Sequence, residues 1–179
     1  MCIFASNYYE KTDKEGTLVP SFHKMMDKEK IKFLVNTALE ENNELFLVDI
    51  QFLPENKIYV EIDGDSGVSL NECIRVSRSI EDNLDREEED FSLEVATPDV
   101  AQPIKLTRQY IKNVGRTLSI KLKENKSLKG VLKNVTDQNI QLEWKTREPK
   151  PVGKGKVTVI KNESISFNDI VEAKVKIIF

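Results

Sequence analysis

The sequence predicts an α+β protein with two domains, in which two helices on a three-stranded sheet are followed by a small β-barrel. Helical and strand periodicities alternate in the first half of the chain, whereas the second half contains only short strand patterns. The charges divide at the same place, because residues 27–106 hold 20 Asp and Glu against 8 Lys and Arg, and residues 107–179 hold 7 against 16. An acidic half therefore precedes a basic half, although the net charge is only −3.

Residues 1–26 show no periodicity, which predicts a disordered extension. Met25 and Met26 stand just before the first patterned segment and are candidate start residues. No apolar run reaches the length of a membrane span, and the opening residues do not form the apolar core of a signal peptide. We therefore expect a cytoplasmic protein with no membrane partner.

The first domain, residues 27–97, begins with a helix and a hairpin. The helix is predicted by apolar residues at the spacing of one buried face: Ile31, Leu34, Val35, Ala38 and Leu39. Apolar and polar residues then alternate over 46–52 and 58–62, on either side of a Pro54-Glu55-Asn56 turn. This alternation predicts two paired strands.

A second helix and a third strand complete this domain. The helix is predicted to begin at Ser69, because Ser69 and Glu72 have the spacing of a capping box. The helix has an apolar stripe and is followed by the acidic run 87–90, and Phe91, Leu93 and Val95 form the next strand pattern. The predicted order is helix, strand, strand, helix, strand.

Residues 98–112 are predicted to be a linker, since Pro98 and Pro103 disfavour both a helix and a central strand. The second domain, residues 113–179, contains five short strand patterns, which favour a small barrel. A basic loop rich in Pro and Gly lies between the third and fourth of these strands. Its candidate contacts to an RNA backbone are Lys150, Lys154 and Lys156, although a merely solvated loop is an open alternative.

The residue types argue against catalysis and against a bound metal or cofactor. His23 is the sole histidine, so the usual general base is missing from any site in the patterned part of the chain. Cys2 and Cys73 have no partners at metal-ligand spacing. The segment from Gly64 to Gly67 is similar to a protease nucleophile stretch, but without a histidine it is better explained as a turn. We expect no catalytic residue, no metal and no cofactor.

Two aromatic residues of the second domain leave two functions open. Trp144 and Phe167 could stack on RNA bases. In so small a barrel, large aromatic side chains are more often part of the core. The sequence does not decide between these two roles.

Several segments together resemble one family, the ribosome maturation factor RimP family, over residues 27–179. The segment Gly67-Val68-Ser69-Leu70-Asn71-Glu72-Cys73, followed by Val76-Ser77-Arg78, resembles the family's second-helix motif. Leu93-Glu94-Val95 with Pro98 and Pro103 is similar to the segment that follows in the family, where Ala96, Thr97, Asp99, Ala101 and Gln102 replace the common Ser, Ser, Gly, Asp and Arg. The second half is similar to the family's Sm-like, SH3-type barrel at Asn113-Val114-Gly115-Arg116, Gly130-Val131-Leu132 and Asp169-Ile170-Val171-Glu172-Ala173.

This resemblance implies a binding protein that assists assembly of the small (30S) ribosomal subunit. Its implied partners are ribosomal protein S12 and the immature 30S subunit with its 16S rRNA, and no small-molecule substrate is implied. The candidate partner-binding residues are Asp99, Gln102, Arg108 and Arg116. An alternative is a general RNA-binding translational regulator that uses the Sm-like barrel. The two charged halves are compatible with a basic protein and a phosphate backbone as partners.

Overall fold

The computed structural model describes residues 10–12, 18–20, 27–84, 91–123, 126–150 and 155–177. Before residue 27, β1 (Glu10–Thr12) pairs with β2 (Leu18–Pro20) in an antiparallel two-stranded sheet. The sequence predicted no regular structure before residue 27, and these six residues differ from that prediction. The acidic run 87–90 lies outside the described residues.

The first helix, α1 (Lys28–Glu40), confirms the predicted apolar face. Asp27 caps its N-terminus, because the Asp27 carboxylate accepts hydrogen bonds from the backbone N–H groups of Glu29 and Lys30. The second helix, α2 (Leu70–Glu81), begins at the predicted Ser69 cap, whose hydroxyl accepts from the N–H of Glu72 at 3.3 Å. Only this half of the predicted capping box forms, because the Glu72 carboxylate binds Arg75 instead.

The predicted hairpin is β3 (Leu45–Leu53) paired with β4 (Lys57–Gly64), and β5 (Ser92–Ala96) joins β4 in parallel. The element order is as predicted, and the sheet order is β3-β4-β5. One face of β4 presents Ile58, Val60 and Ile62 to the helices. Its other face is also covered near the end of the strand, where Glu61 and Asp63 are buried. This second covered face was not predicted.

The predicted linker contains a third helix, α3 (Thr107–Lys112). The two prolines do not prevent it, because both precede its first turn. The linker is attached to the second sheet by the backbone, since Pro103 bridges to Lys174 and the N–H of Ile104 donates to the carbonyl of Ala173 at 2.8 Å. The linker thus has a fixed course over the molecule.

The second half contains the five predicted strands: β6 (Thr117–Leu122), β7 (Ser127–Val135), β8 (Asn139–Pro149), β9 (Lys156–Ser166) and β10 (Ile170–Val175). A short 3-10 helix, Phe167–Asp169, connects the last two. All neighbours are antiparallel, in the order β10-β6-β7-β8-β9. The sheet is open at β9 and β10, so the predicted barrel closure is not observed. Apolar alternation does not distinguish a curved open sheet from a closed one, which is why the sequence could not decide this point.

Two separate hydrophobic clusters fill the two halves. The first joins α1 and α2 to the inner face of the first sheet, and half-buried Cys73 packs against it. The second joins the inner face of the second sheet to Tyr110 of α3. Trp144 and Phe167 pack against this second cluster, with the Phe167 ring 5.2 Å from that of Tyr110 in an edge-to-face arrangement. The domain boundaries themselves stay a prediction.

Candidate functional site

Three of the four predicted partner-binding residues line one groove beside the linker. Asp99, Gln102 and Arg116 are exposed and surround a cavity of about 70 Å³. A tight turn holds the first two in place, because the Asp99 carboxylate accepts from the N–H of Ala101 at 2.8 Å and the N–H of Gln102 donates to the Asp99 carbonyl at 2.9 Å. The groove therefore presents an anionic, an amide and a cationic side chain together.

The floor of the groove is a buried polar network. Asp63, Gln109 and Asn113 are only 5–7% exposed. Lys112 donates to Asp63 at 2.5 Å, the Gln109 amide lies 3.4 Å from the same carboxylate, and the Asn113 amide donates to the Gln109 carbonyl at 2.8 Å. Buried polar groups of this kind need their partners, so the network holds α3 in one position on the first sheet.

The floor belongs to a longer set of ion pairs between the first sheet and the linker, which we call the ion-pair row. Its carboxylates are Asp49, Glu61, Asp63 and Asp65, and its cations are Lys105, Arg108 and Lys112. Lys105 lies 3.0 Å from Asp49 and 3.1 Å from Glu61, and Arg108 lies 2.6 Å from Asp65. These ion pairs therefore neutralise, within the molecule, part of the negative charge of the first half and part of the positive charge of the second half.

Arg108, the fourth predicted partner-binding residue, does not line the groove. Its guanidinium forms a bidentate pair with the Asp65 carboxylate, at 2.7 and 2.6 Å, and also donates to the Asn43 carbonyl at 2.6 Å. The same group lies over the Phe46 ring, 4.6 Å from its centroid. These contacts give Arg108 the role of fixing α3 to the first sheet.

The segment Gly64–Gly67 is a turn that presents Asp65 to Arg108. The N–H of Gly67 donates to the Gly64 carbonyl at 3.0 Å, and Gly67 has φ +95°, which a glycine adopts without strain. Ser66 is exposed. This geometry supports the turn interpretation of the segment.

Two of the three predicted RNA-contacting lysines lie within the described residues. Lys156 begins β9 opposite Pro149, and the N–H of Lys150 donates to the Gly155 carbonyl at 3.1 Å. Both side chains are exposed where β8 and β9 meet the loop. Lys154 lies outside the described residues.

Two carboxyl groups of the ion-pair row have lowered pKa values. The Arg108 guanidinium beside Asp65 holds the pKa of that carboxyl below its ordinary value of 3.8. A hydrogen bond from Gln51, followed by one from Lys105, lowers the pKa of Asp49 in the same way. Because a lowered pKa marks a charge that the folded state favours, both groups stabilise the fold above pH 3.8 and lose this contribution as the pH falls through their folded pKa values.

We therefore expect Asp65→Asn to weaken the pH dependence of stability in acid. Between pH 5 and pH 3 the wild-type protein should lose more free energy of unfolding than Asp65→Asn, because the variant has no carboxyl to protonate at this position. Urea unfolding at each pH measures the difference. Ser66→Ala, which changes the neighbouring exposed residue, is the control and should keep the wild-type slope. Equal slopes for wild type and Asp65→Asn would contradict the assignment.

Lys105 and Lys112 were not identified from the sequence, although a signal was present. Lys105, Arg108 and Lys112 have the spacing of one helical face, and Glu61, Asp63 and Asp65 have the spacing of one strand face. The helical spacing of these three cations was not recognised, because residues 98–112 were predicted to be a linker without a helix.

The groove presents charged and amide side chains at the surface, whereas the charges of the ion-pair row are paired within the molecule. No group of three or more His, Cys, Asp or Glu residues arranged to hold a metal occurs in the described part of the chain. Within those same residues, no helix has the length and apolar character needed to cross a membrane. The fold is that of a two-part α+β protein, with a three-stranded and a five-stranded sheet.

Comparison with known proteins identifies the family. The model of the RimP N-terminal domain matches residues 34–100. The chain is 54% identical to ribosome maturation factor RimP of Christiangramia forsetii, over 86% of this chain and 100% of that protein, and 52% identical to the Flavobacterium psychrophilum protein of the same name, over 87% and 100%. A Porphyromonas gingivalis relative of that name is 37% identical, over 72% and 84%. The chain therefore belongs to the ribosome maturation factor RimP family, whose members are ribosome assembly factors and not enzymes.

Proposed function

We propose that this chain acts in the cytoplasm to assist maturation of the small (30S) ribosomal subunit. It binds ribosomal protein S12, immature 30S particles with their 16S rRNA, or both, and performs no chemistry. The observation that carries this proposal is the 54% identity over the full length of a relative named as a ribosome maturation factor. The 30S and S12 assignments come from the family resemblance.

The groove supports a protein partner that presents charged and polar side chains. The Asp99 carboxylate faces solvent and uses one oxygen for the Ala101 N–H, so the other oxygen is available to a partner's Lys or Arg. Gln102 and Arg116 add a neutral and a cationic contact beside it. In this proposal, these three residues contact S12, whereas Arg108 holds α3 in position on the first sheet.

In this proposal the chain retains the domain division derived from the sequence, with an acidic domain over 27–97, a linker over 98–112 and a basic domain over 113–179. The basic domain is of the Sm-like, SH3 type, which the order β10-β6-β7-β8-β9 supports. Lys150, Lys154 and Lys156 contact the rRNA backbone.

A pull-down from a bacterial lysate, with the bound proteins and RNA identified at low and moderate salt, tests the proposal. We expect the wild-type chain to recover S12 and immature 16S rRNA. Asp99→Asn combined with Arg116→Gln should reduce S12 recovery about tenfold, which corresponds to the loss of one or two charged contacts. Ser66→Ala is the control, because it changes an exposed residue away from the groove and should bind as the wild type does. Failure of the wild-type chain to recover either partner would overturn the proposal.

A second candidate function is a general RNA-binding translational regulator. It is favoured by the exposed lysines on the second sheet that have no carboxylate partner among the described residues, such as Lys129 and Lys145. This alternative predicts recovery of scattered RNAs without ribosomal proteins, and the same pull-down separates the two functions.

A further inference from the structure

One face of the hairpin formed by β8 and β9 carries a row of cations beyond the loop lysines. Directly paired residues of antiparallel strands share a face, and the pairs here are Lys145 with Ile160, Arg147 with Thr158, and Pro149 with Lys156. All three cations are exposed. We call Lys145, Arg147 and Lys156 the basic strip, and the exposed Lys150 follows directly after β8.

The carboxylates nearest the strip are already paired. Glu143, two residues before Lys145 on the same face, binds Lys133 at 3.0 Å, and Glu148, on the opposite face, binds Lys161. Among the described residues, neither the three cations of the strip nor Lys150 forms an ion pair. The strip therefore carries positive charge that these two carboxylates do not neutralise.

The strip stands on the part of the hairpin that extends beyond β7. Pairing of β7 with β8 ends at Glu143, whereas pairing of β8 with β9 continues to Pro149, so this part has two strands. Lysines on edge strands can prevent other strands from pairing. The side chains of a strand stand perpendicular to the plane of hydrogen bonding, so the face that carries the strip is also accessible to a ligand.

The spacing suits a linear polyanion. Residues two apart in a strand are about 6.6 Å apart, which is the spacing of Lys145 and Arg147. The next position of the same face is Pro149, and Lys156 stands opposite it, so the three cations follow one line. An arginine guanidinium binds phosphate through two parallel hydrogen bonds, and lysines add flexible point charges. A chain of phosphates can follow such a line, whereas an isolated phosphate or carboxylate would use only one member.

We infer that this face of the hairpin binds the sugar-phosphate backbone of RNA through Lys145 and Arg147, in line with Lys156. The identity of that RNA as immature 16S rRNA rests on the proposed function. The strip extends the RNA contact from the loop onto the paired strands of the hairpin, whose backbone hydrogen bonds hold the three cations on one face.

Binding of the full-length chain to a transcribed fragment of 16S rRNA, measured by fluorescence anisotropy at several salt concentrations, tests this inference. Lys145→Gln combined with Arg147→Gln should weaken binding about tenfold near 0.1 M salt. The slope of log K against log salt, which is negative, should also become less steep by about 1.4 to 1.8, since two phosphate contacts are lost.

The matched control is Lys123→Gln combined with Lys176→Gln, which removes the same charge from the same half of the chain. Both control residues are exposed and lie at the β6 and β10 side of the sheet, away from the hairpin. The RNA affinity of the control variant should stay within about twofold of that of wild type, because only the overall electrostatic attraction between the chain and the RNA changes. The inference would be overturned if the two double variants lost the same RNA affinity, or if the strip variant kept the salt dependence of the wild type.

The outcome separates this inference from the proposed function. Weakened RNA binding by the strip variant supports the strip, even where the pull-down recovers no S12. A wild-type chain that does not bind the RNA fragment, or a strip that instead binds an acidic protein, overturns it. Circular dichroism of both double variants should match wild type, because all four side chains are exposed.

Discussion

Replacing Lys112 with methionine should lower the free energy of unfolding by about 3 kcal/mol. The change retains the aliphatic stem but leaves the Asp63 carboxylate, which is 6% exposed, without its cation. Removing one partner of a buried ion pair costs about 3–5 kcal/mol, and we take the lower end because Asp63 keeps the N–H of Gly64 at 2.8 Å and Lys112 is partly exposed. Urea unfolding followed by far-UV circular dichroism measures the loss.

Two further variants show whether the buried charge is the cause. Lys112→Met combined with Asp63→Asn should lose less stability than Lys112→Met alone, because the double variant leaves no unpaired carboxylate. Lys32→Met, which removes a cation from the exposed pair with Glu29, should change stability by less than about 1 kcal/mol. A loss in Lys112→Met as small as that in Lys32→Met would show that the ion-pair row does not hold α3.

Gly130→Val should destabilise the second sheet by about 3 kcal/mol. A Cβ atom at this position would lie 2.9 Å from the backbone carbonyl oxygen of Glu143 and 3.4 Å from the Leu142 Cβ. A backbone atom cannot rotate away, so β7 and β8 must separate, and overpacking of a core costs about 1–3 kcal/mol or somewhat more. The sole tryptophan, Trp144, lies on β8, and its fluorescence during urea unfolding reports on this half of the chain.

The control for Gly130→Val is Lys129→Val, which introduces the same side chain at the preceding, exposed position of β7. Its effect should stay within about 0.5 kcal/mol, because the side chain faces solvent. An unchanged fluorescence midpoint in Gly130→Val would mean that the two strands lie farther apart than the structure shows. The close approach also explains why a glycine stands between Leu128 and Leu132, at an alternate position of β7 that is otherwise apolar.

The sequence by itself determined the elements whose signals are local. The i, i+3, i+4 spacing predicted α1, the alternation around Pro54 predicted β3 and β4, and Ser69 marked the start of α2. Each of these signals depends only on residues within one or two helical turns or within one hairpin. It can therefore be recognised without knowing the rest of the fold. The family motif near α2 belongs to the same group, since its residues are consecutive.

Only the tertiary structure decided how the charged residues are used. Asp99, Gln102 and Arg116 share one groove, which the sequence did not predict, and their role in partner binding stays a prediction. Arg108 instead contacts Asp65, 43 residues away. Lys112 likewise meets Asp63 across 49 residues. The sequence shows a basic helical face and an acidic strand face, but not that the two meet, because their contact depends on how α3 lies across the sheet. Whether the second sheet closes also depends on contacts between residues distant in the sequence, so its strand pattern does not decide it.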